Sequence, residues 1–200
     1  MHKKQFETEI RIRVKNVESL KRRLESMGAK LTSVKKYSDY QFTLESRNFW
    51  DSVEALRIRI VDGSEGGTLT YKPSGKKKQK YMQVREYETH IDNPEALMGM
   101  FRFLGIKPLE YVPLTRKTRY KYKLGDFNMD LDRYPKAGYF LDIELISQKK
   151  SRKDVERVKE MVKRLGFTEK DIQPTSVGFL LRELAIKANS GAEKKPDNYL

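Results

Sequence analysis

The chain has no cysteine. Disulfides, zinc–thiolate centres and thiol nucleophiles are therefore excluded, and the absence fits a cytoplasmic protein. Histidine is nearly absent too: His2 and His90 are the only two, and neither has a metal-ligand neighbour at helical spacing. His90 and the single tryptophan, Trp50, are expected to serve packing. No apolar run approaches the length of a membrane span, and the N-terminus carries no signal-peptide core. Acidic residues are outnumbered, 28 Asp and Glu against 42 Lys and Arg, which leaves a formal net charge of +14. That excess calls for an anionic partner: nucleic acid, an acidic surface or a phosphorylated small molecule.

What is present is alternation. In the opening strand Glu7, Glu9, Arg11 and Arg13 fall on one face, and Phe6, Thr8, Ile10, Ile12 and Val14 on the other. The design recurs. Leu56, Ile58 and Ile60 oppose Arg57 and Arg59, and a turn through Gly63, Gly66 and Gly67 leads to a strand over 68–72 that carries Lys72 on its polar side. A strand over 84–91 places Glu86, Glu88 and His90 together. Lys117, Arg119 and Lys121 share a face, as do Asp130 and Asp132, and Asp142 and Glu144. A further strand is expected over 37–44, and a loop over 73–80 holds Lys76, Lys77, Lys78 and Lys80.

Helices separate or follow these strands. Asn16 caps one with the stripe Val17, Leu20, Leu24 and Met27, stopped by Gly28. Asn93, with Pro94 in the first turn, opens another with the stripe Leu97, Phe101 and Leu104, stopped by Gly105. A shift of 77 positions lays the first unit on the second, Val14 on Ile91, Asn16 on Asn93 and Gly28 on Gly105. The chain reads as one domain over residues 1–188, with two related halves at about 5–80 and 81–170. Helices follow over 152–165 and 175–187, and a polar tail over 189–200 is expected to stay disordered.

Amphipathic helices need an apolar surface to cover. If the strands' charged faces pointed outward, their apolar faces would pack on one another and leave none. The consistent solution is an α+β fold: a closed antiparallel barrel with helices on its apolar outside and both signs of charge lining a lumen. Such a lumen is too polar for a dry core and suits a polyanion together with a hard cation. Carboxylates without histidine or cysteine favour Mg²⁺ or Mn²⁺. Guanidiniums and ammoniums suit phosphate oxygens. Metal plus a basic clamp is the equipment of phosphoryl or nucleotidyl transfer.

In order along the chain stand Glu7-Thr8-Glu9-Ile10-Arg11, Ser38-Asp39-Tyr40-Gln41-Phe42, Ala55-Leu56-Arg57-Ile58-Arg59, Leu69-Thr70-Tyr71-Lys72, Arg85-Glu86-Tyr87-Glu88, Lys117-Thr118-Arg119-Tyr120, Leu131-Asp132 and Asp142-Ile143-Glu144. This series resembles the CYTH family, the triphosphate tunnel metalloenzymes, over about residues 5–184. The resemblance implies an eight-stranded tunnel that binds a triphosphate and one or two metal ions. By position, Glu7, Glu9, Asp142 and Glu144, then Asp132 and Glu88, are the implied metal ligands. Arg57, Arg59, Lys72, Lys117 and Arg119 are the implied triphosphate clamp, and Glu7, Glu9 and Arg11 the implied catalytic strand. Arg11 stands where the family has lysine, and Val84 where relatives often have a basic residue. The nearest branch is the class IV adenylate cyclases, which would convert ATP to cyclic AMP and pyrophosphate. The alternative is a triphosphatase acting on tripolyphosphate, thiamine triphosphate or a nucleoside triphosphate. A reading of another class is a non-catalytic RNA or polyphosphate-binding module, disfavoured because the acidic residues share faces with the arginines. No membrane is expected as a partner, and a homodimer is left open.

Overall fold

A computed structural model describes residues 6–73, 82–147 and 151–192. The lysines of the 73–80 loop, the side chains of Phe6, Val84 and Arg85, and residues 193–200 of the expected tail lie outside the described set. The chain runs β1 (Phe6–Val14), α1 (Val17–Ser26), β2 (Lys30–Leu44), α2 (Phe49–Ser52), β3 (Ala55–Val61), β4 (Gly67–Lys72), β5 (Met82–Arg85), β6 (Tyr87–Ile91), α3 (Pro94–Phe103), β7 (Ile106–Pro108), β8 (Leu114–Leu124), β9 (Phe127–Tyr134), β10 (Gly138–Ser147), α4 (Arg152–Arg164) and α5 (Val177–Ala192).

The strands form one antiparallel sheet in the order β5-β1-β10-β9-β8-β2-β3-β4-β6, with β7 pairing β2. Its two terminal strands, β5 and β6, are the halves of one stretch of chain broken only at Glu86. The single strand expected over 84–91 therefore pairs with β1 before the break and with β4 after it. The sheet curls until its ends meet there. Counting β5 and β6 as one strand and β7 as an appendage gives the eight-stranded tunnel.

Apolar faces point outward, under the helices. Ile10, Ile12, Leu131, Leu141 and Ile143 of the sheet, with Leu24 of α1 and Val158 of α4, form the main core, each essentially without solvent exposure. At about 25 cal/mol per Å² of apolar surface buried, this layer is the principal stabilising element. A second cluster places Ile58 and Phe42 under Phe101 of α3. Both repeat caps are present: the Asn16 side chain accepts from the Ser19 amide at 3.0 Å, and Asn93 from the Ala96 amide at 2.9 Å.

Three expectations are corrected, and one element is added. β2 begins at Lys30, because its polar first half has no apolar alternation to read yet pairs with β8 along its length. Leu104, assigned to the stripe of α3, is 68% exposed, since α3 ends at Phe103 and its last turn leaves the sheet. The helix expected over 175–187 runs to Ala192. It covers one end of the barrel rather than its side, with Val177, Leu180 and Leu181 against the inward-facing Tyr134 and Phe140. α2, which sequence periodicity is too short to reveal, completes that end: Phe49 and Trp50 meet Phe179 and Leu181, and the Trp50 indole N–H donates to the Glu110 carbonyl at 3.2 Å.

Candidate active site: one lumen, two walls

The lumen is built from the alternate residues that do not face the helices. One wall is dominated by ion pairs. On β2 and β3, Arg59 grips Asp39 with two hydrogen bonds of 2.6 and 2.8 Å. On β8 and β9, Arg119 grips Asp132 at 2.6 and 2.7 Å, Lys117 reaches the same carboxylate at 2.5 Å, and Arg119 also contacts Asp130. Arg11 of β1 holds Asp142 of β10 at 2.6 and 2.8 Å. Bidentate charge-assisted bonds of this kind are the strong ones, and buried they must be complete to be tolerated.

These partners fix protonation. Burial alone would raise the Asp39 carboxyl, but the Arg59 hydrogen bonds and the charges of Arg57, Arg59 and Lys117 bring it down to about 2. Asp132 is likewise held well below the carboxylate range by Lys117 and Arg119, against its burial. Burial, then the neighbouring Arg119, pushes the Lys117 ammonium down to about 7. Arg57 is different. Its contacts to Asp39 and Glu86 are long, 3.8 Å each, and its buried Nε has no hydrogen-bond partner among the described residues. Its Nη2 donates to the Thr70 hydroxyl at 3.2 Å, which leaves it the least committed of the five basic residues.

The second wall carries too many carboxylates. Glu9 of β1 and Glu144 of β10 lie directly opposite each other in the ladder, a like-charge pairing that costs stability unless a proton or cation intervenes. Glu144 has no ion-pair partner among the described residues; burial, then Glu9, Asp130, Glu7 and Asp142, raise its carboxyl well above the usual range. Burial raises Glu7 to about 7, with Glu86 and Glu9 adding to the shift and Lys72 opposing it. Lys72 bridges the closure of the barrel, 2.8 Å from Glu86 and 3.7 Å from Glu7. Asp130 is raised by burial, and one of its oxygens is buried without a partner.

Of the residues implied as metal ligands, Glu7, Glu9 and Glu144 share the unpaired wall. Asp132 and Asp142 are occupied by basic side chains, and Glu88 is exposed at the rim, accepting from Thr70 at 3.3 Å. Among the described residues no three acidic or histidine side chains converge as a metal cage. The donor set on the unpaired wall is nevertheless all carboxylate, in excess of its positive partners, and fits a hard divalent cation. All five clamp residues reach the lumen. Asp39, Asp130 and Tyr134 also line it, with no role implied for them by the family resemblance. The alternation of Asp39 with Tyr40 and Phe42, and of Asp130 with Met129 and Leu131, was the available signal. His90 lies at the rim, 3.2 Å from Asp92. Among the described residues no helix is long and apolar enough to cross a membrane.

Residues 5–176 match the CYTH domain. A Methanocaldococcus jannaschii protein named "Putative adenylate cyclase" is 32% identical over 170 residues, 84% of this chain and 93% of that one. A Pyrococcus horikoshii protein of known structure superposes with a TM-score of 0.73 at 31% identity, covering 87% of this chain and 98% of the other. A Hippeastrum protein described as having a dominant triphosphatase activity shares the fold, with a TM-score of 0.64 at 16% identity, over 88% of this chain and 95% of that one.

Proposed function

The chain belongs to the CYTH domain family, whose members bind triphosphate substrates, and from that premise we propose that it is a divalent-metal-dependent enzyme that hydrolyses a triphosphate held in the lumen. The observation that carries this reading is the coexistence, in one lumen, of a basic clamp and the Glu9–Glu144 pair. Arg57, with its long contacts and unpartnered Nε, offers the donor least committed to protein partners; Lys72 is paired with Glu86, and Arg59, Lys117 and Arg119 are held in place by Asp39 and Asp132. A bound triphosphate would therefore meet cations whose positions are already set, so little reorganisation is left for the reaction. Glu9 and Glu144, with Glu7 beside them, would hold the Mg²⁺ or Mn²⁺. When bound, the cation supplies charge neutralisation and a water of lowered pKa. Without a cation the Glu7 carboxyl is raised to about 7; a divalent cation beside it would favour the ionised form that a ligand needs. Arg11 stays charged and doubly bonded to Asp142, so its role is to position that carboxylate rather than to move a proton.

Hydrolysis is favoured over cyclisation by the rings in the lumen. Tyr37 lies under the Arg59 guanidinium, and Tyr134 and Phe140 are buried against each other beneath α5. Among the described residues none of these inward-facing rings presents a free face to a nucleobase. The second reading, ATP to cyclic AMP and pyrophosphate, is supported by the name of the relative at 32% identity. Product analysis decides between them. Tripolyphosphate, thiamine triphosphate and ATP are each incubated with Mg²⁺ or Mn²⁺, and with chelator, using Glu9→Ala as the control. Metal-dependent orthophosphate lost in the control is the expected result. Cyclic AMP would establish the cyclase, and no turnover of any substrate would defeat both.

A further inference from the structure

The charged face of β1 runs one residue past the lumen. Arg13 continues the alternation of Glu9 and Arg11, yet it has no carboxylate partner among the described residues. Its guanidinium lies over the Phe140 ring, 6.0 Å from the ring centre. It also lines a cavity of about 290 Å³ where the β1–α1 turn meets the end of α4. Lys15 and Arg23 line the same cavity, together with the apolar Leu20, Leu165 and Phe167. None of the lumen carboxylates or clamp residues borders it.

Three cations converge there with little to answer them. All three are exposed. Among the described residues neither Lys15 nor Arg23 makes a side-chain ion pair or hydrogen bond. The one carboxylate on the cavity, Asp171, is turned to Thr168: its Oδ2 accepts from the Thr168 amide and hydroxyl at 2.9 Å each. Those bonds hold its carboxyl below the usual range, so it counts as a single negative charge. Three cations against one carboxylate leave an excess of two positive charges. Like charges gathered around one space repel unless an anion sits among them.

The local backbone favours the arrangement. Gly166, which follows α4, has a φ of 78°, and a Cβ there would collide with the Arg23 guanidinium. The glycine therefore lets Arg23 lie against the end of α4. The start of α1 does not make the site, because the Asn16 side chain already accepts from the Ser19 amide. What the cavity offers is side-chain charge.

We propose that this cavity is a second anion site, outside the lumen, that takes one small phosphate dianion. A dianion matches the two-charge excess. The guanidiniums of Arg13 and Arg23 suit its oxygens, and Lys15 adds a point charge. A volume just under the range of roughly 300–1,000 Å³ usual for larger organic ligands favours a single phosphate group over a nucleotide. The site is independent of the triphosphate reading.

The test titrates the ¹⁵N-labelled full chain with inorganic phosphate at constant ionic strength, with chloride as the reference anion. Amides of Ser19 and Gly166 report on the cavity, and that of Thr70 on the lumen. Saturable shifts are expected at Ser19 and Gly166. A Lys15→Gln, Arg23→Gln double variant should weaken them about tenfold or more and leave the Thr70 response unchanged. Both residues are exposed, so the fold is kept, and an amide spectrum unchanged elsewhere verifies it. Shifts that chloride reproduces, that never saturate, that survive the substitutions or that appear only at Thr70 overturn the proposal. Phenyl phosphate is the second probe. Tighter binding than inorganic phosphate at the same amides assigns the site to a small monoester resting on Leu20, Leu165 and Phe167; equal or weaker binding assigns it to the free ion. Because Thr70 reports separately, loss of the outer site leaves the triphosphate reading standing, and a lumen silent to tripolyphosphate leaves the outer site standing.

Discussion

The two walls of the lumen are made of the same residue types and behave in opposite ways. Around β2, β3, β8 and β9, Asp39 and Asp132, each gripped twice by a guanidinium, are held ionised, and Asp39 falls to about 2. Along β1 and β10, Glu7, Glu9 and Glu144 crowd together with less positive charge than they need, and Glu7 rises to about 7. Burial acts the same way on both walls. The partner decides the sign, and with it the use: a paired carboxylate builds the site, while an unpaired one is free to take a proton or a cation.

The comparison can be broken most severely at Asp132. Replacing it with alanine leaves Lys117 buried without its ion-pair partner and strips Arg119 of its two-pronged grip, and should cost about 3–5 kcal/mol of stability in urea unfolding. A loss no larger than that of a surface substitution would mean the paired wall is not structural. Next in size is Glu144→Gln. Turnover of tripolyphosphate should fall about 10²–10³-fold, yet the thermal midpoint of the metal-free protein should hold or rise, because the amide replaces a carboxyl whose ionisation burial and its acidic neighbours already disfavour. A fall in the midpoint would erase the distinction between the walls.

The pH dependence of metal-free stability sharpens it further, since the walls titrate with opposite sign. Glu7 has a folded pKa of about 7 against an ordinary 4.5. Below 4.5 it is protonated in both states and costs nothing. As pH rises from 4.5 to 7 the unfolded chain ionises first, and up to about 3 kcal/mol is lost. Glu7→Gln should flatten that limb. Asp39, at about 2 against 3.8, contributes above 3.8, and its share of about 2 kcal/mol disappears as pH falls through 2. Urea midpoints measured across both windows check the two slopes. The smallest effect is expected from Arg11→Lys, which trades a two-pronged grip on Asp142 for a single point charge and should cost about 1 kcal/mol by the same measurement.

Much of this was legible in the chain. The alternation of Ile10 and Ile12 with Glu9 and Arg11, and of Ile58 with Arg57 and Arg59, told which residues face the helices and which face the lumen. The Asn16 and Asn93 caps marked two helix starts. The family pattern pointed to five basic residues that all reach the lumen. Less legible was the first half of β2, where lysines and serine replace any apolar period. The break at Glu86 was also hidden, because it exists only where the two ends of the curled sheet meet, and so was the seat of α5 over Tyr134 and Phe140.

Sequence alone thus determined the faces: a two-residue period assigns each side chain to core or lumen with no knowledge of its neighbours. Only the tertiary structure decided the partners. Arg11 meets Asp142, and Glu9 meets Glu144, through a register between strands at opposite ends of the chain. Periodicity within a strand carries no information about how far the next strand is slid along it beyond which face is turned in. That slide separates the carboxylates gripped by arginine from those that face one another.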